Sequence, residues 1–337
     1  MKRVLVILVT HNGMNWLPRC LASVAPSGKK ADFPDNHVQT GSSSGKNANF
    51  PDGHMPTDVY VVDNDSTDGS ADWIQANYPS AKLVRSAENL GFTLANNLGF
   101  DYAIAKGYDY VYLLNQDAWV EEGAIEKLVA AAEAHPEYAV LSPLQMTDGY
   151  KDLDYQFSKL VKVQEGTQFR NLCHPRHHKR EGPTKWEGSR SDDSGTVYPP
   201  EPCTVKRVMA AHWLMRMDAV KKVGKFSELF PYYGQDDDWC NRARFHGYKI
   251  GIVPQARAVH DRARRKEAKD RIIDRNYRVG SLVRLCNINR PLWERFLFVI
   301  LFTIVKAVKY FSFKPIGDFF AICKQMPEIK EIRKNNK

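Results

Sequence analysis

The chain has 337 residues, of which 43% are hydrophobic and 26% are charged; this is an ordinary globular composition, with room for one large domain and an appendage. Its six cysteines form no CxxC pair and no tight cluster, which argues against a disulfide framework or a zinc ribbon and indicates a reducing compartment. The net charge of +9 belongs to the tail, because residues 257–337 hold 20 Lys and Arg against 8 Asp and Glu.

Strands and helices alternate along most of the chain. Residues 4–9 (VLVILV) form an unbroken apolar run, typical of a strand that is covered on both faces in a parallel sheet. The pattern then predicts a helix in MNWLPRCLASV, helices from about residue 68 and over 90–105, and strands at 59–62, 83–86, 110–114 and 249–253. Ser66 or Thr67 is the expected N-cap of the second helix. This order predicts an α/β fold with a mostly parallel sheet and right-handed crossovers.

An insertion at 27–56 separates the first helix from the second strand. It contains a duplication, SGKKADFPDNH at 27–37 and SGKNANFPDGH at 44–54. Its Gly, Ser, Pro, Asn and Asp content cannot build a core, and two copies are too few for a solenoid. We expect a surface loop or hairpin there.

A second insertion, at 149–206, is polar and irregular. Its cluster of Cys173, His174, His177 and His178 suggests a metal, but a cysteine directly followed by a histidine lacks the spacing of a zinc site. A basic, solvated loop near a substrate entrance is the prediction for this segment.

Three predicted strands end in polar clusters. These are Thr10-His11-Asn12, Asp63-Asn64-Asp65 and Asn115-Gln116-Asp117. A parallel sheet gathers such strand ends at one edge, where open α/β sheets bind ligands. Since neither GxGxxG nor a P-loop is present, a nucleotide diphosphate would need a cation to neutralise it, and Asp117 is placed to hold one. The alternative is that Asp117 caps a helix starting near residue 121 or 122.

Five blocks resemble glycosyltransferase family 2, in the order expected of it. They are VLVILVTHNGMNWLPRCLASV, VYVVDNDSTDGSADWI, ENLGFTLANNLGF, YVYLLNQDAWVEEGAIEKLV and YYGQDDDWCNRARFHGYKIGIVPQARAVH. The sequence looks most like the rhamnosyltransferase-like branch that assembles bacterial surface polysaccharides. The resemblance implies a GT-A fold, a nucleotide-sugar donor such as dTDP-rhamnose, a divalent metal (Mg²⁺ or Mn²⁺), inversion at the anomeric carbon, and a saccharide or lipid-linked saccharide acceptor.

The resemblance also implies site residues. The nucleotide-sugar-binding positions are Thr10, Asn12, Asp63, Asn64, Asn89, Gly91, Asn97 and Asn115. Asp117 and His260 match the metal positions, although this chain has Asn-Gln-Asp where the family often has Asp-x-Asp, and a structural role for His260 is an equal alternative.

The segment GQDDDWC, residues 234–240, places three aspartates at the start of a helix, where the helix dipole favours them. The resemblance singles out Asp236 as the general base, and crowding by its neighbours would raise its pKa toward a useful value. Asp237 and Trp239 are candidate acceptor contacts, with core packing an equal alternative for Trp239.

The tail contains ten consecutive non-ionisable residues, Phe296 to Val305, a run too short to span a bilayer. Lys306 and Lys309 follow it, so we expect an in-plane helix against anionic lipid and a cytoplasmic protein peripheral to the inner face of the cell membrane. A buried helix that closes the domain is the alternative. The expected domains are a glycosyltransferase domain over 1–262, with the two insertions, and a basic, apolar helical region over 263–337.

Two other function classes compete with a transferase. A catalytically silent nucleotide-sugar or glycan-binding module stays open, because Asn115 and Gln235 stand where the family often has acidic residues. A nucleic-acid binder is suggested by the pI of about 9.1, but the basic residues are interleaved with a long aliphatic run and no nucleic-acid module is recognised. We therefore expect no nucleic-acid partner.

Overall fold

A computed structural model describes residues 2–25, 57–150, 152–165, 190–191, 197–198, 201–261 and 269–336. The duplicated segments at 27–37 and 44–54 and the cluster at 173–178 lie outside these residues, so the predictions for them stay predictions.

Eleven strands are formed by the described residues. They are β1 (Val4–Thr10), β2 (Thr57–Asn64), β3 (Lys82–Ser86), β4 (Tyr110–Asn115), β5 (Ala118–Val120), β6 (Tyr138–Met146), β7 (Arg190–Ser191), β8 (Val197–Tyr198), β9 (Cys203–Val205), β10 (His212–Arg216) and β11 (Lys249–His260). The strand predicted at 249–253 is too short, because β11 continues to His260 through a register shift against β6 between Val253 and Arg257.

Eleven helices accompany them in the same described residues. They are α1 (Leu17–Ala22), α2 (Ser70–Asn77), α3 (Gly91–Lys106), α4 (Ala124–Ala134), α5 (Tyr155–Glu165), α6 (Met217–Val223), α7 (Gln235–Phe245), α8 (Lys269–Cys286), α9 (Leu292–Tyr310), α10 (Lys314–Lys324) and α11 (Met326–Asn335).

The main sheet has nine strands, in the order β3-β2-β1-β4-β10-β6-β11-β5, with β9 paired to β11. Strands β1 to β4 are mutually parallel where they pair, and β6 is parallel to β11. Strand β10 is antiparallel to both β4 and β6. The prediction of an α/β fold with a mostly parallel sheet is confirmed.

The apolar run of β1 is unbroken because both faces of the sheet are covered. Leu5 and Ile7 pack on one face, whereas Val6 and Leu8 pack on the other, and all four are buried. Helix α3 approaches β1 at Gly99, where an added Cβ would lie 2.6 Å from the Ile7 side chain. Since a larger residue would push α3 off the sheet, glycine sets the distance between these two elements.

Helices α8 to α11 pack around a smaller core that also contains Phe230. Buried Arg333 of α11 donates hydrogen bonds to the carbonyls of Leu285 at 2.9 Å, Asn287 at 2.5 Å and Arg290 at 2.6 Å. These bonds satisfy carbonyls at and beyond the C-terminal end of α8, which have no partner within the helix itself. The domain boundary expected at residue 262 stays a prediction.

Helix α9 is buried on one side and exposed on the other. Val299 and Thr303 are buried against the core of these helices. The opposite side is what we call the α9 apolar face, and its side chains are 51–71% exposed: Trp293, Leu297, Leu301, Ile304, Val305 and Val308. The alternative of a buried helix that closes the domain fits one side of α9 only, and the expected contact with lipid stays a prediction. In the part of the chain that the structure describes, no helix is both long enough and apolar enough to cross a membrane.

Candidate functional site

The polar clusters predicted at three strand ends lie along one edge of the sheet. Thr10 pairs with Asp63 across β1 and β2, and Val9 pairs with Asn115 across β1 and β4. Because these strands are parallel, their carboxyl ends open onto the same crevice, where α/β sheets bind ligands. The structure thus brings together residues that are more than a hundred positions apart in the chain.

Gln116 ties the ends of β1 and β4 together. Its Oε1 accepts hydrogen bonds from Thr10 Oγ1 and from the His11 main-chain nitrogen, both at 2.8 Å. Its Nε2 donates to the His11 carbonyl at 3.2 Å. Thr10 is fully buried, so its hydroxyl holds this loop and does not face the crevice. The prediction that Thr10 contacts the nucleotide sugar is corrected to a positioning role.

Asn12 fastens the loop after β1 to the loop after β2. Its φ is +51°, its Oδ1 accepts from the Thr67 main-chain nitrogen at 2.9 Å, and its own main-chain nitrogen donates to Ser66 Oγ at 3.0 Å. Ser66 and Thr67 therefore hold this loop and do not cap α2, whose N-cap is Gly69. The predicted ligand contact of Asn12 stays a prediction, since its side chain is exposed at the crevice.

Asp63 and Asn115 carry buried oxygens that fit a ligand. Asp63 is 4% exposed; its Oδ2 accepts from the Ser66 main-chain nitrogen at 3.3 Å. Among the described residues, Asp63 Oδ1 and Asn115 Oδ1 have no hydrogen-bond partner. A buried acceptor without a partner costs about 1–3 kcal/mol, so these two oxygens are suited to accept hydrogen bonds from a bound ligand.

Asn64, Asn89 and Gly91 build the turn that leads into α3. Asn89 Oδ1 accepts from Asn64 Nδ2 at 2.9 Å, from the Gly91 main-chain nitrogen at 3.0 Å and from Tyr232 Oη at 2.6 Å. Gly91 has a φ of +77°, and a Cβ there would lie 3.0 Å from the Pro231 carbonyl oxygen. Buried Asn64 thus shapes the wall of the crevice, which corrects its predicted contact with the ligand. Asn89 is exposed and its predicted contact stays a prediction.

Asn97 does not belong to the crevice. It is 6% exposed, its Nδ2 donates to the Phe226 carbonyl at 3.0 Å, and its Oδ1 accepts from the Phe226 main-chain nitrogen at 3.1 Å. Both ends of the amide are used by the main chain of another segment. The prediction that Asn97 binds the nucleotide sugar is wrong, because this side chain anchors the 226 segment to α3.

Asp117 and His260 meet at the crevice. They are 1% and 3% exposed, and His260 Nε2 lies 3.5 Å from Asp117 Oδ1. Strand β5 sets this approach, because it pairs Ala118 with His260. Helix α4 begins at Ala124 with Gly123 as its N-cap, so the alternative that Asp117 caps this helix is wrong.

This pair fits a divalent cation in part. A carboxylate oxygen and an imidazole nitrogen are suitable first ligands for such an ion. Across the described ranges, no group of three or more His, Cys, Asp and Glu side chains is arranged to hold a metal. An ion held by Asp117 and His260 would therefore take its remaining ligands from water and from a bound diphosphate.

His212 supports the pair and was missed by the sequence analysis. It is fully buried, with its Nε2 2.9 Å from the Val259 carbonyl and its Nδ1 2.9 Å from Tyr112 Oη. Burial lowers the pKa of His212 to about 3, so the ring is neutral; because a carbonyl can only accept, Nε2 carries the proton. Its ring stands perpendicular to that of His260, with centroids 6.5 Å apart. A lone histidine within an apolar strand has no pattern that marks it.

The three aspartates at the start of α7 have different environments. Burial and the neighbouring Asp237 raise the pKa of Asp236 to about 7. Asp237 forms an ion pair with Arg207. Asp238 is buried and accepts from Arg242 Nε at 2.8 Å. The raised pKa suits Asp236 to proton transfer near neutrality.

Trp239 is a core residue. It is fully buried, its Nε1 donates to the Gly224 carbonyl at 2.8 Å, and its ring lies 6.0 Å from that of Trp213. The prediction that Trp239 forms part of an acceptor wall is wrong, and the alternative of core packing is confirmed.

The sequence matches the family described as Glycosyl transferase family 2 over residues 5–180. It is also 24% identical, over 230 residues, to the N-acetylglucosaminyl-diphospho-decaprenol L-rhamnosyltransferase of Mycobacterium tuberculosis (strain CDC 1551 / Oshkosh). That match covers 62% of this chain and 67% of the relative. The similarity supports a transferase that uses a nucleotide sugar.

Solved structures of S. aureus TarS 1-349 share the fold. The complex with UDP has a TM-score of 0.51 at 13% identity and covers 99% of this chain and 88% of that chain. The complex with UDP-GlcNAc has a TM-score of 0.51 at 14% identity and covers 88% and 70%. A longer TarS structure is matched over 41% of its own length, with a TM-score of 0.49. The predicted GT-A type of α/β fold is confirmed by the two complexes that have a TM-score of 0.51.

The role assigned to Asn97 can be tested with Asn97→Ala. Because the substitution removes both bonds to Phe226, we expect the free energy of unfolding to fall by about 1–3 kcal/mol, with nucleotide affinity unchanged. Asn77→Ala is the matched control, since Asn77 donates one local bond to the Trp73 carbonyl at 2.9 Å; its loss should be below about 1 kcal/mol. Urea unfolding and nucleotide titration measure both. Weaker nucleotide binding at unchanged stability would contradict the anchoring role and support the original prediction that Asn97 lies in the binding site.

Proposed function

The chain belongs to glycosyltransferase family 2, and on that premise we propose that it is an inverting, metal-dependent enzyme. It moves a sugar from a nucleotide-diphosphate donor to a saccharide or lipid-linked saccharide acceptor. The pairing of Asp117 with His260, 3.5 Å apart at the ligand-binding edge of the sheet, carries this proposal. It is the arrangement in the described chain that suits a cation beside a diphosphate.

We propose a deoxyhexose donor such as dTDP-rhamnose, because the curated relative carries an L-rhamnosyltransferase name. The buried Oδ1 of Asp63 supports a contact with a base N–H or a ribose hydroxyl of the nucleotide. Asn115, whose Oδ1 is also without a partner among the described residues, lies at the end of β4, which is separated from the strand of Asp63 by β1. A divalent cation held by Asp117 and His260 would neutralise the diphosphate and lower the barrier to its departure.

Asp236 is the proposed general base. Its carboxylate accepts the proton of an acceptor hydroxyl, the acceptor oxygen bonds to the anomeric carbon, and the bond from that carbon to the diphosphate oxygen breaks. The bonding electrons leave with the nucleoside diphosphate, so one base suffices. The anomeric centre is inverted because the acceptor oxygen replaces the diphosphate in a single displacement. A pKa of about 7 makes Asp236 a stronger base than an ordinary carboxylate, yet leaves it ionised in a large fraction of molecules at neutral pH.

The α9 apolar face is the proposed membrane contact. It presents a continuous stripe at helical spacing, of which Leu301 and Val305 are 54% and 60% exposed. Lys306 and Lys309 lie on the same helix. Apolar side chains beside lysines complement an anionic bilayer surface, where each lysine contributes about 1 kcal/mol. An enzyme held in this way would meet a lipid-linked acceptor at the bilayer surface, peripheral to the inner face of the cell membrane.

The proposed function predicts opposite results for two variants. Asp236→Asn should lower kcat by about 10²- to 10⁴-fold, the range of general base catalysis, and should leave donor affinity nearly intact. Asp117→Asn should weaken metal-dependent donor binding by more than the roughly 10- to 100-fold that outer-shell partners contribute to metal affinity. A panel of UDP-, dTDP- and GDP-sugars with Mg²⁺ and Mn²⁺, followed by calorimetry and by product release, measures both quantities.

Asp72→Asn is the control for these variants, because Asp72 forms an exposed ion pair with Arg85 and does not line the cleft that contains Asp236. Full transfer activity in Asp236→Asn refutes the base assignment. A wild-type chain that binds a donor and neither hydrolyses nor transfers its sugar would instead be a catalytically silent binding module.

The decrease of kcat/KM at low pH should follow the protonation of Asp236. Since the base acts when deprotonated, kcat/KM should rise about tenfold per pH unit below pH 7 and level off above it. Asp237→Asn removes the neighbouring negative charge that raises the pKa of Asp236, so the midpoint should move to lower pH. Rates measured from pH 5 to 9 test this, with Asp72→Asn as the unshifted control. A midpoint that stays in place or moves upward contradicts the assignment.

The membrane contact is tested by flotation of the full chain with phosphatidylcholine vesicles, with and without phosphatidylglycerol. The wild type should float with the anionic vesicles. Leu301→Glu combined with Val305→Glu should abolish flotation, because both changes place charge in the middle of the apolar face. Ile104→Glu is the control, since Ile104 is a 39% exposed apolar residue of α3. Equal flotation of all three proteins would remove the α9 face from the proposal.

A further inference from the structure

A cleft of about 580 Å³ opens between the start of α7 and the middle of α8. Six of the residues that line it are lysines, arginines or aspartates: Lys206, Arg207, Asp236, Asp237, Arg244 and Arg284. The proposed function uses Asp236 and gives no role to the four cations. Two aspartates against four cations leave the cleft with a positive surplus beside the proposed base.

Two of these cations lack a carboxylate partner. Arg207 is paired with Asp237, but within the described ranges no carboxylate lies at ion-pair distance from Arg244 or Arg284. Arg244 Nη2 donates to Asn241 Oδ1 at 2.6 Å, and its Nε is buried without a hydrogen-bond partner among the described residues. A buried donor of a charged group is costly when it has no acceptor, so Arg244 Nε is suited to an acceptor that the described residues do not supply.

Arg284 is held in place at the other wall of the cleft. Its Nη1 donates to the Gly280 carbonyl at 2.6 Å, and its guanidinium lies 5.2 Å from the ring centroid of Phe298 and 5.3 Å from that of Phe302. Burial and the nearby Arg207 lower the pKa of Arg284, and Asp237 only partly offsets them. The group is thus preorganised for a negatively charged ligand.

We propose that this cleft binds phosphate oxygens of the acceptor, in the form of a diphosphate that links the acceptor sugar to a lipid. The proposal rests on the proposed function, because it places the acceptor hydroxyl at Asp236. Arginine matches phosphate with two parallel N–H donors, and Arg244 and Arg284 offer such donors on either side of the cleft.

Two features assign the phosphate to the acceptor and not to the donor. The lining of the cleft contains none of the sheet-edge residues Asp63, Asn115, Asp117 and His260, so the donor diphosphate has a separate place. In addition, Arg284 borders α9 through Phe298, which is 44% exposed. A diphosphate in the cleft therefore leaves its hydrocarbon next to an apolar helix surface.

The probe for this site is inorganic pyrophosphate, titrated calorimetrically into the full chain in low-salt buffer with EDTA. Because EDTA removes divalent metal ions, a diphosphate site that depends on a metal at Asp117 does not bind the probe. Arg244→Gln and Arg284→Gln should each weaken pyrophosphate binding by about tenfold, the loss of one charge-assisted hydrogen bond. Arg278→Gln, on the same helix with its Nε 3.9 Å from Asp318 and outside the cleft, should stay within about twofold of the wild type.

A second arm separates the two sources of phosphate. UDP or dTDP added to the EDTA buffer should leave pyrophosphate affinity unchanged, and in transfer assays Arg284→Gln should raise KM for a diphosphate-linked acceptor about tenfold while KM for the donor is unchanged. Displacement of pyrophosphate by the nucleotides, or equal affinity in all variants, overturns the proposal. If no donor is turned over, the proposed function fails, and the calorimetry still decides whether the cleft binds phosphate. Thermal unfolding confirms that each variant is folded.

Discussion

The site depends on one constraint, the burial of the Asp117 carboxylate beside His260. An ionised carboxylate removed from water is costly unless charge or hydrogen bonds compensate it. Three strands impose this burial: β4 delivers the chain to Asn115, β5 turns it back, and β11 extends to His260 to pair with Ala118. Neutral His212 lies behind His260 and adds no positive charge of its own. Under the proposed function, a cation with a diphosphate would further compensate the burial of this carboxylate.

The edge of the sheet was predictable because its signal is local. An unbroken apolar run followed by Asx residues marks a buried parallel strand and its carboxyl end, and this pattern located Asp63, Asn115 and Asp117. The errors concern polar residues whose partners are distant in the chain. Asn97 binds the main chain of Phe226, 129 positions away, and Thr10 binds Gln116, 106 positions away. No window of sequence reports such pairs, so their polarity was read as a sign of ligand binding.

The three consecutive aspartates at the start of α7 differ in ionisation and in partners because their surroundings differ. Helical geometry turns the side chains of residues 236, 237 and 238 in different directions. Asp236 and Asp237 both line the cleft, where Asp237 pairs with Arg207, whereas Asp238 meets Arg242 in the interior. The sequence DDDW predicted negative charge at a helix start and a pKa of Asp236 raised by its neighbours. The larger cause of that raised pKa, burial, could only be seen in the structure.

The antiparallel direction of β10 has a consequence for how such enzymes diversify. Because β6 ends at Met146 and β10 begins at His212 on the same edge, the chain leaves and re-enters the sheet beside the crevice, where Gln145 Nε2 donates to the Met209 carbonyl at 3.1 Å. The polypeptide between α5 and β9 can therefore change without removing a strand of the nine-stranded sheet. Under the proposed function, evolution can alter acceptor preference there while the half of the sheet that carries Asp63 is kept.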